Sequence, residues 1–167
     1  MTALFAALRT VVVASGFVWL WTVAARWARQ FDPLFGGALP AWTPPLGVAV
    51  VAAGAPLALT CALLFAIRGK GTPAPFDPPR TFVATGPYRL MRNPMYVGAW
   101  LTIVGVALLL RSTGILAMSL AALLCAHLFI ILYEEPTLTA KFGASYERYR
   151  ATVPRWIPNG KSVARAH

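Results

Sequence analysis

At 167 residues the chain has room for one domain, and 58% of it is hydrophobic against 12% charged, with a mean hydropathy of +0.64. Soluble domains carry about a quarter charged residues, so this deficit points to a bilayer rather than to a large core. The net charge of +10 does not signal nucleic acid here, because the lysines and arginines flank apolar runs instead of forming a charge-rich domain. Cys61 and Cys125 both fall inside apolar runs and read as small buried side chains, not as a disulfide. Two cysteines and two histidines this far apart exclude a metal cluster.

The first apolar run, Ala3 to Ala25, is interrupted by Arg9 and closed by Arg26. A cleavable signal peptide is the rival reading, but Trp19 and Trp21 near its end, and the need for an even number of spans, favour a retained helix. Asp32, Pro33, Gly36, Gly37, Pro40, Pro44 and Pro45 then break any helix, and Trp27, Phe31, Phe35 and Trp42 suit the headgroup level of a surface-hugging loop. Leu46 to Ile67 is 22 residues without a charge, enough to span a bilayer, and Pro56 predicts a kink within it.

Residues 68–93 form a basic loop with prolines at 73, 75, 78 and 79, too long for a simple hairpin connection and therefore a candidate for function. Asn93-Pro94 predicts a helix start, with the asparagine capping free amides and the proline in the first turn. That helix runs to about 110, Arg111-Ser-Thr-Gly114 turns the chain, and Ile115 to Tyr133 forms the next span. After Pro136 the pattern changes: residues 138–150 are short, amphipathic and basic, suited to a membrane surface, and 153–158 are extended by their prolines.

These elements predict a single all-α integral membrane domain over 1–167, with four transmembrane helices at about 3–25, 46–67, 94–111 and 115–133 and a short amphipathic C-terminal helix. With four spans, the N-terminus, the 68–94 loop and the tail share a face carrying 12 of the 15 lysines and arginines; Arg26, Arg29 and Arg111 are on the other. The positive-inside rule then puts both termini and both polar blocks, 85–98 and 133–136, on the cytoplasmic side.

Glu134 and Glu135 end a membrane helix, where a carboxylate is costly unless a cation meets it and where the helix dipole opposes it. Adjacent helical residues point about 100° apart, so only one of the two can look into a given site. One reading pairs them with Arg89, Arg92 or the tail arginines to pin the loop; the other makes them a site for a positively charged ligand. His127, seven residues before Glu134, shares nearly its face and is either a packed helix residue or a base. Tyr88, Tyr96, Tyr146 and Tyr149 serve as interfacial anchors in the simplest reading, although Tyr96 stands one turn into its helix, directly after Asn93-Pro94.

The stretch Thr81-Phe-Val-Ala-Thr-Gly-Pro-Tyr-Arg-Leu-Met-Arg-Asn-Pro-Met-Tyr-Val-Gly98 resembles the core motif of the isoprenylcysteine carboxyl methyltransferase and phospholipid methyltransferase superfamily. So does Glu134-Glu-Pro-Thr-Leu-Thr-Ala-Lys-Phe-Gly-Ala-Ser-Tyr-Glu-Arg-Tyr-Arg-Ala-Thr-Val-Pro-Arg-Trp-Ile-Pro158, in the right order and spacing. The resemblance implies a membrane enzyme that moves a methyl group from S-adenosylmethionine to a lipophilic acceptor. It implies cofactor contacts from Thr81, Phe82, Val83, Tyr88, Pro94, Met95, Tyr96 and Glu134. A carboxylate and tyrosine faces suit the cationic donor, and Arg92 with the helix start at Pro94 suits the donor's own carboxylate. Glu134, Tyr96 and His127 are the candidates for a catalytic role.

Two positions depart from the pattern. The family usually has histidine where this chain has Asn93, an amide of shorter reach that can still cap or donate. The prenylcysteine enzymes carry an arginine for the substrate carboxylate one turn before the first glutamate; here that position is Ile130, which favours a phospholipid amine or another apolar nucleophile. The alternatives in other classes are a reductase related to the sterol reductases and a non-catalytic lipid-binding protein.

Overall fold

The computed structural model describes residues 3–65, 67 and 83–158, all helix, turn and extended strap, with no strand among the described residues. Helix α1 spans Ala3–Arg29, α2 Thr43–Leu64, α3 Pro94–Leu109 and α4 Thr113–Phe129; α5 (Glu135–Phe142) and α6 (Ala144–Thr152) complete the set. A π-helical turn, Ile130–Glu134, joins α4 to α5.

Among the described residues, two helices are long and apolar enough to cross a bilayer: α2, and the continuous run Thr113–Phe142 built from α4, the π turn and α5. Only 17% of each apolar window is buried, the reverse of a soluble protein's core helix. Leu59, Leu63, Leu120, Leu124, Leu128 and Leu132 point outward instead, as expected when the surrounding solvent is itself apolar. Helix α3 is equally apolar but has 16 residues.

Close backbone contact makes α2 and α3 one unit. A Cβ on Gly54 would come within 2.8 Å of the Gly98 carbonyl oxygen, and one on Gly98 within 2.5 Å of the Ala58 amide nitrogen. In lipid, where apolar side chains gain nothing by leaving the solvent, such close approach is what holds helices together. Helix α1 meets the start of α4, where Gly114 lies against the Ala28 carbonyl. A polar latch secures that end: Asp32 Oδ1 accepts from the Ser112 hydroxyl at 2.6 Å and from the Gly114 amide at 2.8 Å. Ser112 Oγ also caps α4 by accepting from the Ile115 amide, and Arg111 Nε donates to the Leu39 carbonyl at 2.7 Å.

Several expectations shift. The first helix continues to Arg29 and is followed by a single 3₁₀ turn at Asp32–Phe35, because the breakers begin only at Asp32. The second starts at Thr43, since Pro44 and Pro45 occupy its first turn, where no amide donor is needed. Cys61 is buried, but Cys125 is exposed on the outer face of α4: an apolar run predicts burial in a soluble core, not in a membrane helix. The largest correction concerns Pro136. The helix does not stop there; the wider π turn absorbs the missing amide, and the chain stays helical to Phe142. The predicted single C-terminal helix is instead two, parted at Gly143, whose φ of +52° carries the chain out of helical geometry.

Candidate functional site

The Gly86–Arg89 turn brings the Tyr88 side chain over the end of α2, where it packs with Cys61 and Val83; Leu64, Phe65 and Met95 close around them. Tyr88 is 5% exposed, and burial pushes its phenol far above the usual range. Beside it opens a narrow cleft of about 50 Å³. Phe65 comes from α2; Val83, Tyr88, Arg92 and Asn93 come from the connecting segment; Ile130, Glu134, Glu135 and Leu138 line the opposite wall; Tyr146 and Tyr149 come from α6.

The two adjacent glutamates have separate partners. Tyr96, in the first turn of α3, donates its hydroxyl to Glu134 Oε2 at 2.9 Å. Among the described residues no cation pairs with Glu134; the ion pairs belong to Glu135. Glu135, 7% exposed, accepts from Arg92 Nη1 at 2.8 Å through Oε1, and from Arg155 through both oxygens, Nε at 2.8 Å and Nη2 at 3.0 Å. The pinning reading holds for Glu135, which ties the loop to the tail; Glu134 instead lines the cleft with a tyrosine as its hydrogen-bond donor.

The tail is part of the site. Residues 153–158 lie as a strap beneath the connecting segment: the Arg92 amide donates to the Pro154 carbonyl at 2.8 Å, and the Asn93 amide and side-chain Nδ2 both donate to the Arg155 carbonyl at 3.3 Å. Asn93 makes no side-chain cap on α3, contrary to expectation, because its amide group faces the strap. The Tyr149 hydroxyl donates to the Tyr88 carbonyl at 2.6 Å, and burial raises both Tyr149 and Tyr146 above the ordinary phenol range. Arg155 is raised as well, by the hydrogen bonds it donates to the Glu135 carboxylate.

Of the residues singled out in sequence, Val83, Tyr88, Arg92, Asn93 and Glu134 line the cleft. Met95 backs Tyr88, Pro94 is buried at the helix start, and Tyr96 reaches the cleft wall through Glu134. Thr81 and Phe82 lie outside the described residues. His127 is not brought to the cleft: its Nδ1 accepts from the Trp156 indole at 3.1 Å with the rings 5.8 Å apart. A shared face for residues seven apart requires 3.6 residues per turn, and the wide π turn between His127 and Glu134 breaks that register. Sequence reasoning missed Phe65 and Leu138; Arg155 is one of the tail arginines expected to meet a glutamate, and Ile130, expected near the acceptor, lines the cleft. It also set aside Tyr146 and Tyr149 as anchors, although both stand in the second motif.

The model of the phospholipid methyltransferase family matches residues 42–145, more than half of the chain, taking in α2 to α5 and the cleft's main walls. The chain belongs to the phospholipid methyltransferase family. That family lies within the superfamily of integral membrane methyltransferases indicated by the motifs at 81–98 and 134–158. No curated protein matches the chain. The family match ends before Tyr146, Tyr149 and Arg155, so the α6 wall and the strap are read from this chain's own geometry.

Proposed function

We propose that this member of the phospholipid methyltransferase family binds S-adenosylmethionine in the cleft and methylates a lipophilic acceptor, a phospholipid amine or another apolar small molecule, at the cytoplasmic membrane face. The observation that carries this reading is Glu134: a carboxylate with no cationic partner among the described residues, oriented by Tyr96, in a cleft walled by tyrosines. A carboxylate so placed calls for a positive ligand, and tyrosine faces favour one.

The residues present fit that cofactor on chemical grounds. Arg92 lines the cleft and its Nε is buried without a hydrogen-bond partner among the described residues, a donor suited to a carboxylate. The start of α3 beside it carries no side-chain cap, and first-turn amides of a helix suit an anion. Val83, Tyr88, Phe65 and Leu138 give an apolar wall for a purine or ribose, and Thr81 and Phe82 join this group by resemblance. When bound, S-adenosylmethionine supplies a methyl group on an electron-poor sulfonium sulfur.

The chain's part is to hold, align and dry the reacting groups, which supplies most of the rate in such transfers. Glu134 and Tyr96 set the position of the cationic end. Ile130, 1% exposed, makes the adjoining wall apolar where an arginine would demand an acidic acceptor. A count of four spans, taking α1 and α3 with the two long apolar helices, supports a cleft on the face that carries 12 of the 15 basic residues.

Calorimetry of the purified protein with S-adenosylmethionine tests the donor, and incubation with labelled donor and a total lipid extract tests the acceptor. A methylated lipid is the expected product. Absence of donor binding sinks the reading, and retention of a nicotinamide cofactor in its place would favour a reductase.

A further inference from the structure

Glu135 is held by two arginines in unequal ways. Arg155 spans both carboxylate oxygens with a two-pronged contact, whereas Arg92 reaches only Oε1, through Nη1. Arg92 has Tyr146 as a second neighbour, and its Nε has no partner among the described residues. Two guanidiniums on one carboxylate leave one positive charge over. The pairing geometry decides where it sits: Arg155 is matched to the carboxylate, so the excess falls on Arg92, the arginine that lines the cleft.

We propose that Arg155 is a positioning residue for the donor site: by occupying both oxygens of Glu135 it keeps Arg92 from closing on that carboxylate and presents Arg92 to the carboxylate of S-adenosylmethionine. This rests on the reading of the cleft as the site of that cofactor. Without Arg155, Glu135 is a buried carboxylate with a vacant oxygen, and Arg92 is the cation already touching it. A guanidinium there pairs through two parallel hydrogen bonds, which would neutralise Arg92 and turn it from the cleft. The strap itself does not depend on the Arg155 side chain. Its ties to Arg92 and Asn93 run to the carbonyls of Pro154 and Arg155, and Trp156 is fixed separately on His127.

The test is calorimetry on the full-length protein in detergent with two ligands, S-adenosylhomocysteine and the same compound lacking its carboxylate. In the wild type, loss of the ligand carboxylate weakens binding by roughly 10- to 100-fold, the usual worth of a hydrogen bond to a charged group. In Arg155→Ala that ratio falls towards one, because S-adenosylhomocysteine binds more weakly while the decarboxylated compound binds as before. Arg155→Lys, which supplies charge but no fork, gives an intermediate ratio. Glu135→Gln, which removes the competitor for Arg92, retains at least the wild-type ratio and keeps the question open to measurement if Arg155→Ala does not fold. An unchanged ratio in Arg155→Ala, or equal weakening of both ligands, overturns the positioning role while leaving the cofactor reading intact. Failure of the wild type to bind either compound overturns both.

Discussion

Replacing Glu134 with glutamine isolates the charge at the centre of the cleft. The amide has nearly the same size, and its oxygen can still accept from the Tyr96 hydroxyl that now lies 2.9 Å from Oε2. What disappears is the attraction for a cation. Two unit charges about 4 Å apart at an effective dielectric of about 20 interact by about 4 kcal/mol. The cleft has an open mouth, so half of that, about 2 kcal/mol, is the better figure for a partly solvated site. Glu134→Gln is therefore expected to raise the Kd for S-adenosylmethionine about 30-fold. Stability should barely change, because no ion pair among the described residues is broken and the hydrogen bond survives. Titration calorimetry in detergent, with thermal melts of both proteins, reads the two effects separately. A Kd within threefold of wild type would remove Glu134 from the donor site, and with it the observation on which the functional reading stands.

Three further outcomes follow from other parts of the fold. Gly98→Ala drives a methyl group into the Ala58 amide and the Gly54 carbonyl, at 2.5 and 2.8 Å, and should lower the melting temperature by roughly 2–12 °C through overpacking. Asp32→Ala strands the Ser112 hydroxyl and the Gly114 amide; it should destabilise by about 1–3 kcal/mol in denaturant titration yet leave donor affinity unchanged, since that latch is at the opposite end of α4 from the cleft. Tyr88, Tyr146 and Tyr149 are all raised above the ordinary phenol value of 10.0 by burial. Above that pH the unfolded chain loses phenolic protons that the folded chain keeps, so stability is level below about pH 10 and falls as pH rises beyond it. Denaturation midpoints against pH check this, and a flat profile to pH 11.5 would refute the burial of these phenols.

Much of the fold was legible because its determinants are local. The uncharged stretch at 46–67 needs only its own length to predict a helix, and Asn93-Pro94 marks a helix start wherever it occurs; the structure begins α3 at Pro94. The ordered motifs at 81–98 and 134–158 led to the family that the match over 42–145 establishes. Boundaries that depend on one residue's lost amide were less legible. Pro136 looks like a stop in sequence, and only the π turn shows how the helix passes it.

The sequence by itself determined that the chain is an apolar helical membrane protein of this family, and that a carboxylate and a tyrosine-rich segment accompany its third and fourth helices. Tertiary structure alone decided which glutamate does what. Glu134 and Glu135 are neighbours of the same chemistry, and what separates them is Tyr96, 38 residues away, and Arg92 and Arg155, 43 and 20 residues away. Helical period and residue type are properties of a short window. A partner at that distance is chosen only when α3, the π turn and the C-terminal strap have packed, and it is that packing which gives one cleft-lining carboxylate two arginines and the other a tyrosine.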